Sequence, residues 1–116
     1  MTVMKLYHNT RCTKSRGALE ILNARGIEPE IVYYLETPPS SAELRELLRK
    51  LGTGARSLVR SGEPEYADLG LGDASLPEEA LIAAMAEYPR LIERPVFVNG
   101  DRAVIGRPPE RVLEIL

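Results

Sequence analysis

Cys12 is the residue of this sequence best suited to nucleophilic chemistry, and it is the single cysteine of the chain. It lies in a polar segment, 8–13, between a short apolar segment that predicts a strand and a segment that predicts a helix. We therefore expect an exposed loop in which backbone N–H groups at the helix start face the sulfur. With Arg11 and Lys14 nearby, such a position lowers the pKa of a thiol and favours the attacking thiolate. Buried packing is the common role of a free cysteine, but this position favours chemistry.

Polar residues around Cys12 could assist it. His8, the single histidine, lies four residues before Cys12 and could stabilise a thiolate as an imidazolium if the loop folds back. Ser15 could donate a hydrogen bond to the sulfur or cap the helix, and both alternatives are open. Asn9 and Arg16 are expected to support the loop. We expect no metal site, since one Cys and one His fall short of the four ligands of structural zinc.

The segment Cys12-Thr13-Lys14-Ser15 carries a serine where a thioredoxin-type Cys-x-x-Cys pair has its second thiol. No thiol of the chain itself could therefore resolve a disulfide formed on Cys12. An outside thiol, such as glutathione or a partner protein, would have to attack that disulfide.

The elements that position this loop follow from the hydrophobic pattern. Segment 3–7 predicts a strand, 15–25 predicts a helix that ends at Gly26, and 31–34 predicts a second strand. Strand, helix and strand in this order predict a βαβ unit with parallel strands and a right-handed crossover.

The middle third of the chain predicts helices. Ser40 and Glu43 fit a capping box, and the helix that follows has an apolar stripe of Leu44, Leu47, Leu48 and Leu51. Residues 52–74 predict short helices and turns. Ser75 and Glu78 predict a second capping box for a helix that runs to about Tyr88, with Leu81, Ile82 and Met85 on its buried face.

The last part of the chain predicts a hairpin and a helix. Strands over 95–98 and 103–105 are joined at Asn99-Gly100, and Pro108-Pro109 begins a helix with Val112, Leu113 and Leu116 on one face. The order βαβ, helical insert, ββα predicts an α/β fold with a thioredoxin-like mixed sheet. We expect one domain over residues 1–116, with residues 38–90 as a helical insert.

Three arginines could form an oxyanion site in such a fold. X–Pro bonds are trans by default, but in a thioredoxin-like fold a cis-proline at the position of Pro95 faces the reactive sulfur, which brings Arg94 next to Cys12. Arg107 follows the second hairpin strand, and Arg60 lies in the insert. Each could be a surface charge. Converging on one thiolate, their guanidinium groups would bind a tetrahedral oxyanion bidentately.

Composition excludes several classes of function. The chain has 116 residues, 44% of them hydrophobic, and a formal net charge of −2, which predicts a folded domain and argues against a basic nucleic-acid binder. Neither a signal peptide nor an apolar run long enough for a membrane span is found. We therefore expect a cytoplasmic monomer that contacts neither membrane nor nucleic acid.

The segment from Tyr7 to Arg16 resembles the active-site loop of the ArsC-type, glutaredoxin-coupled arsenate reductases. Three further segments are similar to signatures of that family and occur in the same order: 34–39, Glu93-Arg94-Pro95 and 106–109. The resemblance covers essentially the whole chain and points to the short ArsC-like group.

This resemblance implies a mechanism. Cys12 would attack arsenate to give a thiol–arsenate adduct, while Arg60, Arg94 and Arg107 hold the oxyanion. Glutathione, a co-substrate rather than a bound cofactor, would then release arsenite, and glutaredoxin would remove glutathione from Cys12. In this scheme His8 keeps Cys12 ionised, and Ser15 and Arg16 match supporting positions.

Two alternatives use the same fold. The first is a glutathione-linked thiol transferase that uses arsenate poorly. The second is a regulator similar to the Spx-type factors, which bind RNA polymerase. Many Spx-type members carry a Cys-x-x-Cys pair, whereas this chain has Ser15 at the second position.

Overall fold

The computed structural model describes residues 3–116 of the chain. The chain folds into two compact units. The first unit extends to Thr37 and continues with Arg94–Leu116, and the second is Pro38–Glu93. Each unit has its own buried side chains.

The first unit contains a four-stranded mixed sheet and begins with a strand–helix–strand segment. Its elements are β1 (Met4–Tyr7), α1 (Thr13–Ala24), β2 (Glu30–Val32), β3 (Val96–Asn99) and β4 (Arg102–Ile105). The strands lie in the order β2-β1-β3-β4. Strand β1 is parallel to β2 and antiparallel to β3, which is antiparallel to β4. This topology confirms the predicted thioredoxin-like sheet and places the end of β1 directly before the Cys12 loop.

A seven-residue 3-10 helix, Pro109–Ile115, ends the chain where the sequence predicted a helix beginning at Pro108-Pro109. A 3-10 helix has three residues per turn, so Val112 and Ile115 lie on the same face and are both buried. Leu116, predicted to share that face, is instead 43% exposed. The core beside this helix consists of Leu6, Ala18, Leu22, Phe97, Val104, Val112 and Ile115.

The hairpin lies where Asn99-Gly100 predicted it, with a shift of one residue. Asn99 is the last residue of β3 and pairs with Arg102, so the two-residue loop is Gly100-Asp101. Gly100 has φ +62°, the left-handed conformation that a type II′ turn requires at its first central position.

The second unit is helical. It contains α2 (Ser41–Leu51), α3 (Pro64–Asp68), α4 (Glu78–Glu87) and the 3-10 helices Ala55–Ser57 and Pro89–Leu91. The capping box of α2 is confirmed: the Glu43 N–H donates to Ser40 Oγ at 3.1 Å and the Ser40 N–H donates to Glu43 Oε1 at 3.2 Å. The predicted buried residues Leu81, Ile82 and Met85 of α4 are also confirmed.

The second predicted capping box, Ser75 with Glu78, is wrong. Helix α4 has Pro77 as its N-cap residue and no side-chain capping bond. Ser75 Oγ donates instead to Asp73 Oδ1 at 2.7 Å, and the Glu78 carboxylate accepts the N–H of Ala55. A tertiary partner therefore takes the carboxylate that the local pattern assigned to the cap.

Among residues 3–116, no helix combines the length and apolar character that a membrane span needs.

Gly106 provides a test of packing in the first unit. A Cβ at this position would lie 2.9 Å from Pro95 Cγ and 3.3 Å from Val112 Cγ1, both in packed surroundings. We expect Gly106→Ala to lower the free energy of unfolding by roughly 1–3 kcal/mol, as overpacked cores do, measured by urea denaturation.

The matched control is Gly62→Ala, because a Cβ there meets no atom within 4 Å. We expect its unfolding free energy to stay within about 0.5 kcal/mol of the wild type. Equal effects of the two substitutions would contradict the packing argument.

Candidate active site around Cys12

Cys12 is the N-cap residue of α1, with extended backbone angles (φ −93°, ψ 121°). Its N–H donates to the Asn9 carbonyl at 3.0 Å, and its own carbonyl accepts from the Arg16 N–H at 3.0 Å. The side chain is partly exposed. The sulfur therefore lies at the positive end of a helix, open to a small reactant.

Burial raises the pKa of Cys12, but other contacts lower it by more, so its pKa is below the ordinary value. The backbone N–H of Ser15 donates to the sulfur, Arg94 contributes a side-chain hydrogen bond and its positive charge, and the Lys14 N–H adds a further bond. Each of these donors favours the charged form of the thiol. Cys12 is thus held toward the thiolate.

Arg94 and Arg107, two of the three arginines that the sequence suggested for an oxyanion site, contact each other in the first unit. Arg107 Nη1 donates to the Arg94 carbonyl at 3.0 Å, and Arg94 contacts the Cys12 sulfur. The Arg94–Pro95 peptide is cis, and the Pro95 carbonyl accepts the N–H of Gly106 at 2.8 Å. Arg107 therefore contacts the backbone of the residue that reaches the sulfur.

A buried polar pair lies between the end of β1 and the first turn of α1. Ser15 Oγ and His8 Nδ1 are hydrogen-bonded at 2.6 Å, and the Asn9 N–H donates to Ser15 Oγ at 3.1 Å. The Ser15 hydroxyl is thus engaged with His8 and Asn9. It does not cap α1, and the hydrogen bond from Ser15 to the sulfur comes from the main chain.

His8 is only 5% exposed, and its burial lowers its pKa below the ordinary value. A lowered pKa disfavours the imidazolium that the sequence led us to expect beside the thiolate. Neutral His8 can instead act on Cys12 indirectly. Its hydrogen bond to the Ser15 hydroxyl holds Ser15, whose backbone N–H donates to the sulfur.

The other predicted residues lie in different surroundings. Asn9 supports the loop, since its Oδ1 accepts the Arg11 N–H at 2.9 Å. Arg16 is exposed and its Nη2 donates to Thr13 Oγ1 at 3.5 Å. Arg60 lies in the second unit, where its guanidinium is 3.5 Å from Glu63 and 3.7 Å from Glu93. Its expected part in oxyanion binding stays a prediction.

Sequence reasoning missed the pairing of His8 with Ser15, whereas the N–H groups of Ser15 and Lys14 are the helix-start donors that it expected at the sulfur. The pairing spans seven residues and depends on the loop geometry. A signal for this pairing was nevertheless present in the sequence. His8 follows a buried strand, and Ser15 in the first turn of the next helix offers a hydroxyl to its imidazole.

Removing the Arg94 guanidinium should raise the pKa of Cys12, because this substitution deletes a hydrogen bond and a positive charge at the sulfur. The rate of iodoacetamide alkylation against pH measures the thiolate fraction. We expect the profile of Arg94→Gln to shift to higher pH, while Arg25→Gln, an exposed cation at the other end of α1, leaves it in place. Overlapping profiles for Arg94→Gln and wild type would contradict this role.

His8 should make stability depend on pH. Its pKa in the folded protein lies below the ordinary 6.5, so the unfolded chain binds more protons as pH falls below about 6.5. The free energy of unfolding of the wild type should therefore decrease with falling pH from 6.5 toward the folded pKa. His8→Gln, which retains an acceptor but does not titrate, should show less of this slope in urea denaturation at several pH values. Parallel profiles would contradict the prediction.

Comparisons with known proteins identify the family to which the chain belongs. The ArsC family model matches residues 7–115. The chain is 55% identical over 114 residues to the uncharacterized protein YfgD of Escherichia coli K12, covering 97% of this chain and 96% of that protein. It is 43% identical over 117 residues to an arsenate reductase of Neisseria meningitidis, with both chains fully covered. A solved arsenate reductase from Vibrio cholerae superposes with a TM-score of 0.95 at 49% identity, covering 99% of this chain and 98% of that one. The protein is therefore a member of the ArsC family.

Proposed function

We propose that this protein reduces arsenate to arsenite with Cys12 as the nucleophile, glutathione as the reductant and glutaredoxin as the resolving partner. The observation that carries the proposal is the Cys12 sulfur, partly exposed and held toward the thiolate by the N–H of Ser15 and by Arg94. The arsenate reductases among the relatives support arsenate as the oxyanion.

In the first step the Cys12 thiolate attacks arsenic and forms an S–As bond. One arsenate oxygen leaves with protons from the medium as water, and arsenic stays pentavalent in the adduct. Arg94 and Arg107 would neutralise the charge that accumulates on the arsenate oxygens, since the guanidinium fork matches such oxygens. Arg60 is expected to contribute a third guanidinium.

In the second step the glutathione thiolate attacks the Cys12 sulfur. The S–As bond breaks, its electron pair stays on arsenic, and arsenite, now trivalent, leaves. Cys12 and glutathione are left as a mixed disulfide. A glutaredoxin thiolate then attacks the glutathione sulfur and releases the Cys12 thiolate. Each cycle consumes two thiols and yields one disulfide and one water. The reaction therefore needs a compartment that keeps thiols reduced, such as the cytoplasm.

A glutathione-linked thiol transferase is the second candidate, and Ser15 is as consistent with it as with an arsenate reductase. The position of a second thiol in a Cys-x-x-Cys pair holds a serine whose hydroxyl is bound to His8. A mixed disulfide on Cys12 would then wait for an outside thiol whether or not arsenate is the substrate. The Spx-like regulator stays an alternative to be tested by binding to RNA polymerase.

The deciding experiment follows NADPH oxidation with arsenate, glutathione, glutaredoxin and glutathione reductase. We expect turnover that requires all of these components and that Cys12→Ser abolishes. Arg94→Ala and Arg107→Ala should each lower kcat/KM for arsenate by about 10²-fold or more, the effect of losing an oxyanion donor.

Arg111→Ala is the matched control for the arginine variants, because Arg111 is exposed and its ion pair joins it to the nearby Glu114. We expect its kcat/KM to equal that of the wild type. Activity in Cys12→Ser would rule out the proposed nucleophile. Wild-type protein that exchanges thiols but shows no arsenate-dependent rate would identify the thiol transferase instead.

A further inference from the structure

Three exposed cationic side chains flank Cys12, and we call them the cationic rim: Arg11, Lys14 and Arg16. Within residues 3–116, none of the three forms an ion pair with a carboxylate, and the Arg16 guanidinium contacts only the Thr13 hydroxyl. Lys14 and Arg16 lie in the first turns of α1, and Arg11 directly precedes the cysteine. The rim therefore places three positive charges on the segment that carries the nucleophile, and the carboxylates of the described residues form no ion pair with them.

The cationic rim opposes the stability of its own helix. Positive side chains at a helix N-terminus face the positive end of the macrodipole, where acidic residues are favourable. The first turn of α1 has no acidic residue, whereas α4 begins with Glu78 and Glu79. Residues 1–19 contain neither Asp nor Glu. Cations at a helix N-terminus, where acidic residues are preferred, lower the stability of the helix, and such an exception is typical of a functional surface. A bound anion would offset the repulsion between these cations and the helix dipole.

A small cleft adjoins the same loop. It has a volume of about 50 Å³ and is lined by His8, Asn9, Thr10, Tyr33, Leu35 and Glu36. Tyr33 and Leu35 are 46% and 42% exposed, so the cleft offers apolar contact to a ligand. Glu36 adds a carboxylate that an ammonium group could meet. The rim thus offers cations, and the cleft, lined in part by residues 8–10 of the Cys12 loop, offers an apolar patch and a carboxylate.

We propose that the cationic rim binds the carboxylates of glutathione while the glutathione sulfur reacts with Cys12, with the cleft receiving the ammonium end. Glutathione carries two carboxylates and one ammonium group, which matches the charges of rim and cleft. This inference rests on the proposed function and deepens it, since it names the residues that select the thiol co-substrate. A short peptide joined to Cys12 by a disulfide has its charged ends near the residues that flank the sulfur. This proximity favours glutathione over an acidic protein surface as the ligand of the rim.

The test uses disulfide exchange and needs no arsenate, so its outcome is independent of whether arsenate is the substrate. The Cys12 thiolate attacks glutathione disulfide, forms a mixed disulfide with one glutathione and releases the other as a thiolate. Mass spectrometry follows the modified protein. The comparison reagents are bis(2-hydroxyethyl) disulfide, which is neutral, and cystamine, which is cationic.

For each thiol we take the ratio of its rate with glutathione disulfide to its rate with the neutral disulfide, and we divide the ratio of the protein by that of a small free thiol. We expect this normalised ratio to be at least roughly ten for the wild type, because local positive charge raises the association rate of an anionic reactant by such factors. The triple variant Arg11→Gln/Lys14→Gln/Arg16→Gln should lose this preference and react relatively faster with cystamine. Added salt should weaken the preference of the wild type as well.

The neutral disulfide is the internal control. Loss of three cations can also raise the pKa of Cys12, which slows exchange with every disulfide, but the ratio of two disulfides cancels this effect. The double variant Arg25→Gln/Arg111→Gln removes exposed cations of the same unit outside the rim, and its ratio should equal that of the wild type.

Three results would overturn the proposal. One is a triple variant with the wild-type ratio. Another is an equal preference of the wild type for 3,3′-dithiodipropionate, which would make the rim a general anion surface. The last is a preference that appears only with a glutaredoxin mixed disulfide, which would assign the rim to a protein partner.

Discussion

The stabilisation of one negative charge at the start of a helix is the constraint on which this site depends. The Cys12 sulfur lies where the N–H groups of Ser15 and Lys14 converge, and the Arg94 guanidinium completes the set of donors. Burial alone would hold the sulfur neutral and unreactive, since it raises the pKa of a thiol. The rest of the first unit serves this balance: β1 and α1 fix the N–H groups, and β3 begins just after the residue that brings the cation.

Support for this arrangement extends one layer outward on each side. On one side His8 and Asn9 hold the Ser15 hydroxyl, which fixes the turn that carries the backbone donors. On the other side Arg107 donates to the Arg94 carbonyl, and Gly106 allows close approach to Pro95. Reactive groups held by such second contacts keep their geometry when a reactant binds, which is the usual condition for electrostatic stabilisation of a transition state.

Much of this structure could be predicted from the sequence because local signals and periodicity agree. The βαβ pattern and the Ser40–Glu43 capping box each have a local cause and occur at the expected places, and the hairpin turn lies one residue beyond the predicted Asn99-Gly100. Predictions failed where a distant partner competes with a local one. Glu78 binds the N–H of Ala55 instead of capping α4. The sequence left the role of Ser15 open between the sulfur and the helix cap, and its hydroxyl binds His8. The charge state of His8 depends on burial, which residue type and spacing do not determine.

The position of Cys12 as the N-cap of α1 links the chemistry of the sulfur to the stability of the fold. A thiol whose pKa is lowered by folding stabilises the native state above the unfolded pKa, and this contribution is lost as pH falls through the folded pKa. An uncharged group bonded to the sulfur removes the same charge at every pH. The modified protein is then the less stable form, so the folding free energy of α1 itself favours return to the free thiolate. The helix thereby favours the free thiolate as the state in which its own dipole is best compensated.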